Sequence, residues 1–406
     1  RARVGYGSAI EPTPRPPQSN RPALRVLAVM PGITPDAGAE RSLVTLAPAL
    51  QRAGIELHLA LLTDRQALAP SLEEMGVVIH DLSAAQGLSG RVRALQRTIA
   101  AVSPALVHAT LFEATQVAQL ASVTAVPSKR VPLLITWAST IYTTDASHGV
   151  RWGKAKYGLL RWWEVGLARA AKARYHAVTK GVADYNARRL HVGPDRVRVG
   201  ERGRDGAALR AAAEDPRRVR QELSVGPRGR LVLTVGRQDH QKGHDALVRV
   251  FDRYAAGHPE DRLAIAGRTG TGTPALNQAL AALQHPDSVA VLGHRGDVPT
   301  LLAAADAVVC SSLREGAAGV LVEAMAMGTP VVSVPLEGLK DVLVDGFNAR
   351  VVPLREFPET LARVFADHDA TQRMTAAAQH EADDRFSVDR AGTRLADIYR
   401  WAAEVG

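Results

Sequence analysis

Two glutamates eight residues apart, Glu315 and Glu323, lie in the stretch EGAAGVLVEAMAMGTP (315–330). The apolar period there predicts a helix over 319–327 that is entered from a loop. The first turn of such a helix leaves backbone N–H groups free, here from Ala317 to Val320, at the positive end of the helix dipole. That combination binds anions such as a diphosphate, with Ala318, Gly319 and Val320 as its donors. Glu323, about one turn inside, is placed to accept two hydrogen bonds from a ribose diol. Glu315, at the loop edge, is placed to face a sugar. On two glutamates alone, a capping Glu315 and a solvated Glu323 explain the pattern with less.

A second constellation is VGRQDHQKGH (235–244), which puts Arg237 and Lys242 between a strand over 230–236 and a helix over 243–256. In open α/β sheets ligands gather at the carboxyl ends of strands. Two cations there can neutralise a leaving diphosphate without a metal. The plain alternative is a pair of surface cations in a loop.

Other signals are weaker. Gly267, Gly270 and Gly272 follow a strand and precede a helix, but the third glycine is out of place for a dinucleotide fingerprint. His240 and His244 stand four apart on a helical stretch with no third ligand nearby, so structural or substrate-contact roles suit them better than a metal. The single cysteine, Cys310, excludes a disulfide framework and a Cys-based zinc site and reads as a small buried apolar residue. The stretch 151–174 interleaves Trp152, Trp162 and Trp163 with arginines and lysines. It suits an anionic membrane surface, where aromatic rings sit at headgroup level. The alternatives are a core helix with its tryptophans turned inward and an anionic soluble acceptor.

These residues need elements to hold them. LRVLAVM (24–30) is a continuous apolar run, the mark of a strand buried on both faces of a parallel sheet. A helix over 40–54 follows, then strands at 55–63, 105–110, 132–138, 177–179 and 196–200, with a helix over 155–171. A second series has strands at 230–236, 262–267, 289–293, 307–311 and 330–334. Its helices are expected at 243–256, 274–284, 297–305, 319–327, 356–367 and 370–382. Strands alternating with helices predict doubly wound α/β domains. The divisions are a proline-rich disordered lead-in over 1–22, a first domain over 23–205, a charged, Gly-containing linker over 206–229, a second domain over 230–385, and a closing helix within 386–406.

Composition fits that plan. The 406 residues are 46% apolar and 22% charged, with a formal net charge of +9, which is ordinary for two folded domains. The charge is uneven: residues 1–200 carry 25 Lys+Arg against 13 Asp+Glu, and residues 201–406 carry 25 against 28. A basic first half suggests a polyanionic partner, unless it only raises solubility. No apolar run is long enough to span a membrane and no signal peptide is visible. The expected location is cytoplasmic, peripheral on the inner face of the cell membrane if 151–174 binds lipid. Nucleic-acid binding calls for modules that are absent.

The motifs together resemble the retaining GT-B glycosyltransferases of family 4. The resemblance rests on Gly-Arg-x4-Lys-Gly (236–243), Gly-x-Arg-Gly-Asp-Val (293–298) and Glu-x7-Glu-Ala-Met-Ala-x-Gly-Thr-Pro (315–330). In the first half, Ala-Gly-Ala-Glu (37–40) and Leu-Val-His-Ala (106–109) join them. It implies two Rossmann-like domains facing a cleft, the first for acceptor and the second for a nucleotide-sugar donor. It implies no cofactor and no metal.

Residue by residue, the resemblance implies that Glu323 binds the ribose and Glu315 the donor sugar. Arg237 and Lys242 would hold the diphosphate, and Gly38 would let its loop approach the phosphate. His108 would face the donor sugar across the cleft, and Val298 would meet the base through its backbone. The acceptor would be a carbohydrate or a lipid-linked glycan, and the last helix would return to the first domain. Four departures stand out: Ala37 and Ala318 where relatives have glycine, Trp137 in a Thr-x-His region, and Arg202-Gly203-Arg204-Asp205 in place of Asn-Gly-Val-Asp. A catalytically silent binding protein, or an epimerase or hydrolase on the same fold, are the rival readings.

Overall fold

The computed structural model describes residues 23–34, 38–126, 130–139 and 154–404. The expected lead-in over 1–22 and Trp152 lie outside the described residues. The first domain runs β1 (Leu24–Met30), α1 (Gly38–Arg52), β2 (Ile55–Leu61), α2 (Ala69–Glu74), β3 (Val78–Asp81), α3 (Gly87–Val102), β4 (Leu106–Thr110), α4 (Phe112–Val123), β5 (Leu133–Trp137), α5 (Lys154–Ala170), β6 (Arg174–Ala177), α6 (Lys180–Leu190) and β7 (Val197–Val199). Its sheet is parallel, in the order β3-β2-β1-β4-β5-β6-β7. Val26 to Met30 are buried because helices cover both faces, so an apolar run replaces alternation. The order reverses between β1 and β4, and a crevice opens at the carboxyl ends there.

The second domain runs α7 (Gly206–Ala212), α8 (Pro216–Glu222), β8 (Leu231–Val235), α9 (His244–Ala255), β9 (Arg262–Ala266), α10 (Thr273–Leu280), β10 (Val289–Gly293), α11 (Val298–Ala304), β11 (Ala307–Cys310), α12 (Gly319–Met327), β12 (Val331–Ser333), β13 (Arg350–Val351), α13 (Phe357–Ala366) and α14 (His368–Arg385). Its parallel sheet has the order β10-β9-β8-β11-β12-β13, with the switch point between β8 and β11. Both charged motifs leave from that point, one after each strand. Two doubly wound domains with facing crevices make a GT-B fold.

The expected linker over 206–229 is largely helical. Asp205 and Asp215 cap α7 and α8 through bonds from the Ala208 and Arg217 amides. Val219 and Leu223 are buried in the second-domain core, so the charged surface of this stretch hid its inward face. The strand expected over 177–179 lies earlier, at Arg174–Ala177, because Thr179 is the cap of α6 and accepts from the Val182 amide. The short strands β3 and β13 sit at sheet edges.

The last helix, α15 (Val388–Ala403), returns to the first domain. Its Leu395, Ala396, Ile398 and Tyr399 join one core with Leu43, Leu46 and Leu50 of α1. Gly392 allows that contact, since a Cβ there would lie 2.4 Å from the Cβ of Ala49. Asp341 fastens the two domains: its carboxylate accepts from the Gly181 amide at 2.9 Å and from Arg385 at 3.0 Å.

Candidate active site in the interdomain cleft

Cys310 ends β11, and the chain then turns through Ser311 and Ser312 to Glu315. Ser312 Oγ donates to Glu315 Oε1 at 2.7 Å. Lys242 Nζ, from the loop after β8, donates to the same oxygen at 2.6 Å. Burial pulls the Lys242 ammonium down, but the Glu315 carboxylate outweighs it and the pKa is raised. The cation therefore stays charged in a partly dry site. Arg237 pairs with Asp239 at 2.8 Å and remains half exposed.

The loop carrying Arg237 is braced by residues whose glycines suggested a fingerprint. Gly272 donates its amide to the Gln238 carbonyl at 2.7 Å, and Thr271 donates its amide to Asp239 at 3.0 Å. Those glycines support the neighbouring loop by close backbone packing. His244 is buried at the start of α9, and burial, then Lys242, push its pKa down to about 4.

Glu323 lies just over one turn into α12 and is buried. Its Oε1 accepts from Arg204 Nε at 2.9 Å and from Arg41 Nη2 at 3.3 Å. Ala318 precedes α12 with φ 37° and ψ 58°, a left-handed geometry that costs a residue with a Cβ about 1–2 kcal/mol. Gly328, with φ 74°, closes the helix.

The cleft between the domains has a volume of about 410 Å³ and brings together Gly38, Arg237, Lys242, Val298, Glu315, Ala318, Gly319, Val320 and Glu323. It also gathers Arg41, Arg202, Arg204, Arg268 and Arg295. Cations outnumber carboxylates on its walls. The amides at the start of α12 add to the positive potential. Such a cleft is built for a polyanion of small size.

His108 does not face the cleft, which corrects the expectation for it. It pairs with Ala28 in the middle of the sheet, two residues before β4 ends. Its Nδ1 lies 2.9 Å from Tyr399 Oη and its Nε2 lies 2.6 Å from Thr136 Oγ1. Burial, then His176, push its pKa down to about 3. Both nitrogens are committed beneath α15, so no nitrogen is left for a sugar. Trp137 is also internal and stacks on Tyr175 with 4.2 Å between ring centroids.

Ser312, Arg41 and Arg202 are cleft residues that motif reading did not select. Arg202 and Arg204 were visible only as a departure from Asn-Gly-Val-Asp. The repeated arginine two residues apart, beside a motif with two carboxylates, was the available signal. Trp162 and Trp163 are 61% and 53% exposed, which rules out the inward-facing alternative for these two. Among the described residues no helix is long and apolar enough to cross a membrane.

Two family models match the chain: glycosyl transferases group 1 over residues 216–381, and a glycosyl transferase 4-like domain over residues 37–203. The chain belongs to the GT-B glycosyltransferases. This glycosyltransferase-family chain is 32% identical to a D-inositol 3-phosphate glycosyltransferase of Salinispora arenicola over 248 residues, which cover 56% of this chain and 54% of the relative. It is 28% identical to the alpha-D-kanosaminyltransferase of Streptomyces kanamyceticus, with 42% of this chain and 45% of that one covered. The chain spans about half the length of the curated relatives it matches. Anabaena HepE, solved with UDP-glucose, superposes with a TM-score of 0.76 and 22% identity, over 92% of this chain and 99% of HepE. That likeness shows the shared fold.

Proposed function

We propose that the protein transfers a sugar from a nucleotide-diphosphate donor to an acceptor hydroxyl with retention of configuration. The observation that carries this reading is the bond between Lys242 and Glu315 at 2.6 Å beside the amino end of α12. A fixed cation and free amides there support a departing diphosphate, and the carboxylate supports contact with a sugar. Arg237 and Lys242 stabilise the charge that grows on the diphosphate. Glu323 takes the ribose diol, Val298 the base, and Gly38 allows close approach from the first domain.

The bond from the anomeric carbon to the phosphate oxygen breaks, and its electron pair leaves with the phosphate. The acceptor oxygen attacks from the same face. Its proton passes to the departing phosphate oxygen, so no strong protein base is needed. Two cations on the phosphate make a metal unnecessary, and activity is expected to survive EDTA. Closure of the cleft excludes water from the reaction.

The test is calorimetric titration with UDP, GDP, ADP and dTDP, followed by Glu323→Ala with the best binder. UDP is the first choice, because HepE was solved with it. Tight binding that the variant loses supports the donor site. No binding of any of the four brings forward the reading as a silent binding protein. The exposed Trp162 and Trp163 favour a lipid-linked acceptor met at an anionic membrane surface.

A further inference from the structure

Three further arginines line the same cleft as Arg237 and Lys242. Arg41 comes from the first turn of α1, and Arg202 and Arg204 come from the crossover after β7. Among the described residues one carboxylate serves two of them: Glu323 Oε1 is shared by Arg204 at 2.9 Å and Arg41 at 3.3 Å. Arg202 has no ion pair or hydrogen-bond partner among the described residues, and it lines the cleft. Burial, then the charge of Arg204, draw the Arg202 guanidinium down to about 10.

The surroundings raise the positive charge further. A Cβ at Gly319, the first residue of α12, would lie 1.8 Å from Arg204 Nη2. A Cβ at Gly38, the first residue of α1, would lie 3.9 Å from Arg202 Nη1. Guanidinium groups are thus held against the amino ends of two helices, which are themselves positive. A cation in that position is unfavourable unless an anion joins it. Among the described residues one glutamate answers only part of three like charges. A planar guanidinium with its donors open to a cleft is suited to a phosphoryl group.

We propose that Arg41, Arg202 and Arg204 form a second phosphoryl-binding subsite, between the amino ends of α1 and α12, in addition to Arg237 and Lys242. Its ligand is a phosphoryl oxyanion, of a phosphate ester or of a diphosphate. Two sources present that chemistry, the donor diphosphate and a phosphate group on the acceptor. The subsite asks only for an oxyanion and does not depend on sugar transfer.

The experiment is titration of the full chain with inorganic phosphate at low salt, first alone and then at saturating UDP. Arg202→Met and Arg41→Met are compared with the unaltered protein. Phosphate affinity is expected to fall roughly tenfold or more in Arg202→Met, the size of a lost charge-assisted contact. Phosphate binding that UDP abolishes, with UDP affinity also weakened in the variants, assigns the subsite to the donor diphosphate. Phosphate binding that persists beside UDP assigns it to the acceptor.

A thermal scan adds a second readout. Arg202→Met is expected to raise the unfolding midpoint in phosphate-free buffer, because it removes a partly buried cation that has no counter-ion among the described residues. It is also expected to abolish the further rise that phosphate gives the unaltered protein. A purely structural Arg202 predicts a lower midpoint instead. Unchanged phosphate and UDP affinities in both variants overturn the subsite, as does a lower midpoint with phosphate stabilisation intact. Failure of the unaltered protein to bind UDP, with phosphate binding still lost in Arg202→Met, counts against the donor reading and leaves the subsite standing.

Discussion

Lys242 Nζ donates to Glu315 Oε1 across 2.6 Å, tying the loop after β8 to the loop after β11. Both loops leave the switch point of one sheet, so the pair is fixed by the fold and not by the flexibility of two side chains. The carboxylate keeps the lysine charged against its own burial. A cation held this way needs little reorganisation when negative charge appears beside it, which is where electrostatic catalysis gains most. Lys242→Met is expected to lower kcat by about 10²–10³-fold, with a much smaller change in nucleotide affinity. Equal losses in both, measured by initial rates and calorimetry, argue for ground-state binding alone.

Glu323 carries a structural load besides the ribose role proposed for it. Its side chain is 7% exposed and that of Arg204 is 12% exposed. Removing one partner of a buried pair leaves an uncompensated charge and costs roughly 3–5 kcal/mol. Glu323→Ala is therefore expected to lower the unfolding midpoint by several degrees as well as weakening nucleotide binding. Glu323→Gln keeps the shape and retains more stability. A midpoint unchanged in Glu323→Ala means that the Arg204 pair contributes little in solution.

His108 and His176 give the first domain a pH dependence. Burial comes first among the causes that hold them neutral, with pKa values down at about 3 and about 4. The unfolded chain takes up protons near the ordinary histidine value of about 6.5. Between those limits the unfolded state binds more protons, so stability present above about pH 6.5 is lost as the pH falls toward 4. Thermal unfolding followed from pH 7.5 to 4.5 is expected to show this decline. The slope is expected to be shallower in His108→Gln, and an identical slope would falsify the assignment.

Much of this architecture was legible because it follows from short-range rules. The run at 24–30 and the repeated strand–helix alternation fixed both sheets, and the Glu315–Glu323 spacing placed one group on a loop and one inside a helix. His108 was misread because its motif marks a strand end, whereas the register with Ala28 places the ring in the interior. The partner that captures it, Tyr399, is 291 residues away, and no local pattern predicts that contact. The linker was misread for a related reason: the apolar positions of α8 show their purpose only against the second-domain core.

Ala318 keeps a left-handed backbone with φ 37° where glycine is the usual choice. Ala318→Gly relieves the Cβ strain of about 1–2 kcal/mol and loses part of it to the greater freedom of the unfolded chain. The midpoint is expected to rise slightly, with nucleotide binding retained. Ala318→Val places a β-branched residue in the same geometry and is expected to destabilise clearly. Equal stability for the three residues, measured by chemical denaturation, would show that the turn relaxes.

Trp162 and Trp163 project from α5 at 61% and 53% exposure, although Trp163 Nε1 donates to Gln116 at 3.2 Å. Large aromatic surfaces left in water on a basic helix are costly unless another surface covers them. An anionic bilayer supplies both partners, headgroup charge for the arginines and lysines and an interface for the rings. Sedimentation with vesicles is expected to show binding that requires anionic lipid and fades as salt rises. Replacing both tryptophans with alanine is expected to weaken that binding at least tenfold while nucleotide affinity stays the same. Binding to neutral vesicles, or binding that salt does not alter, would remove the charge from this account, and no binding at all would leave the tryptophans to a soluble partner.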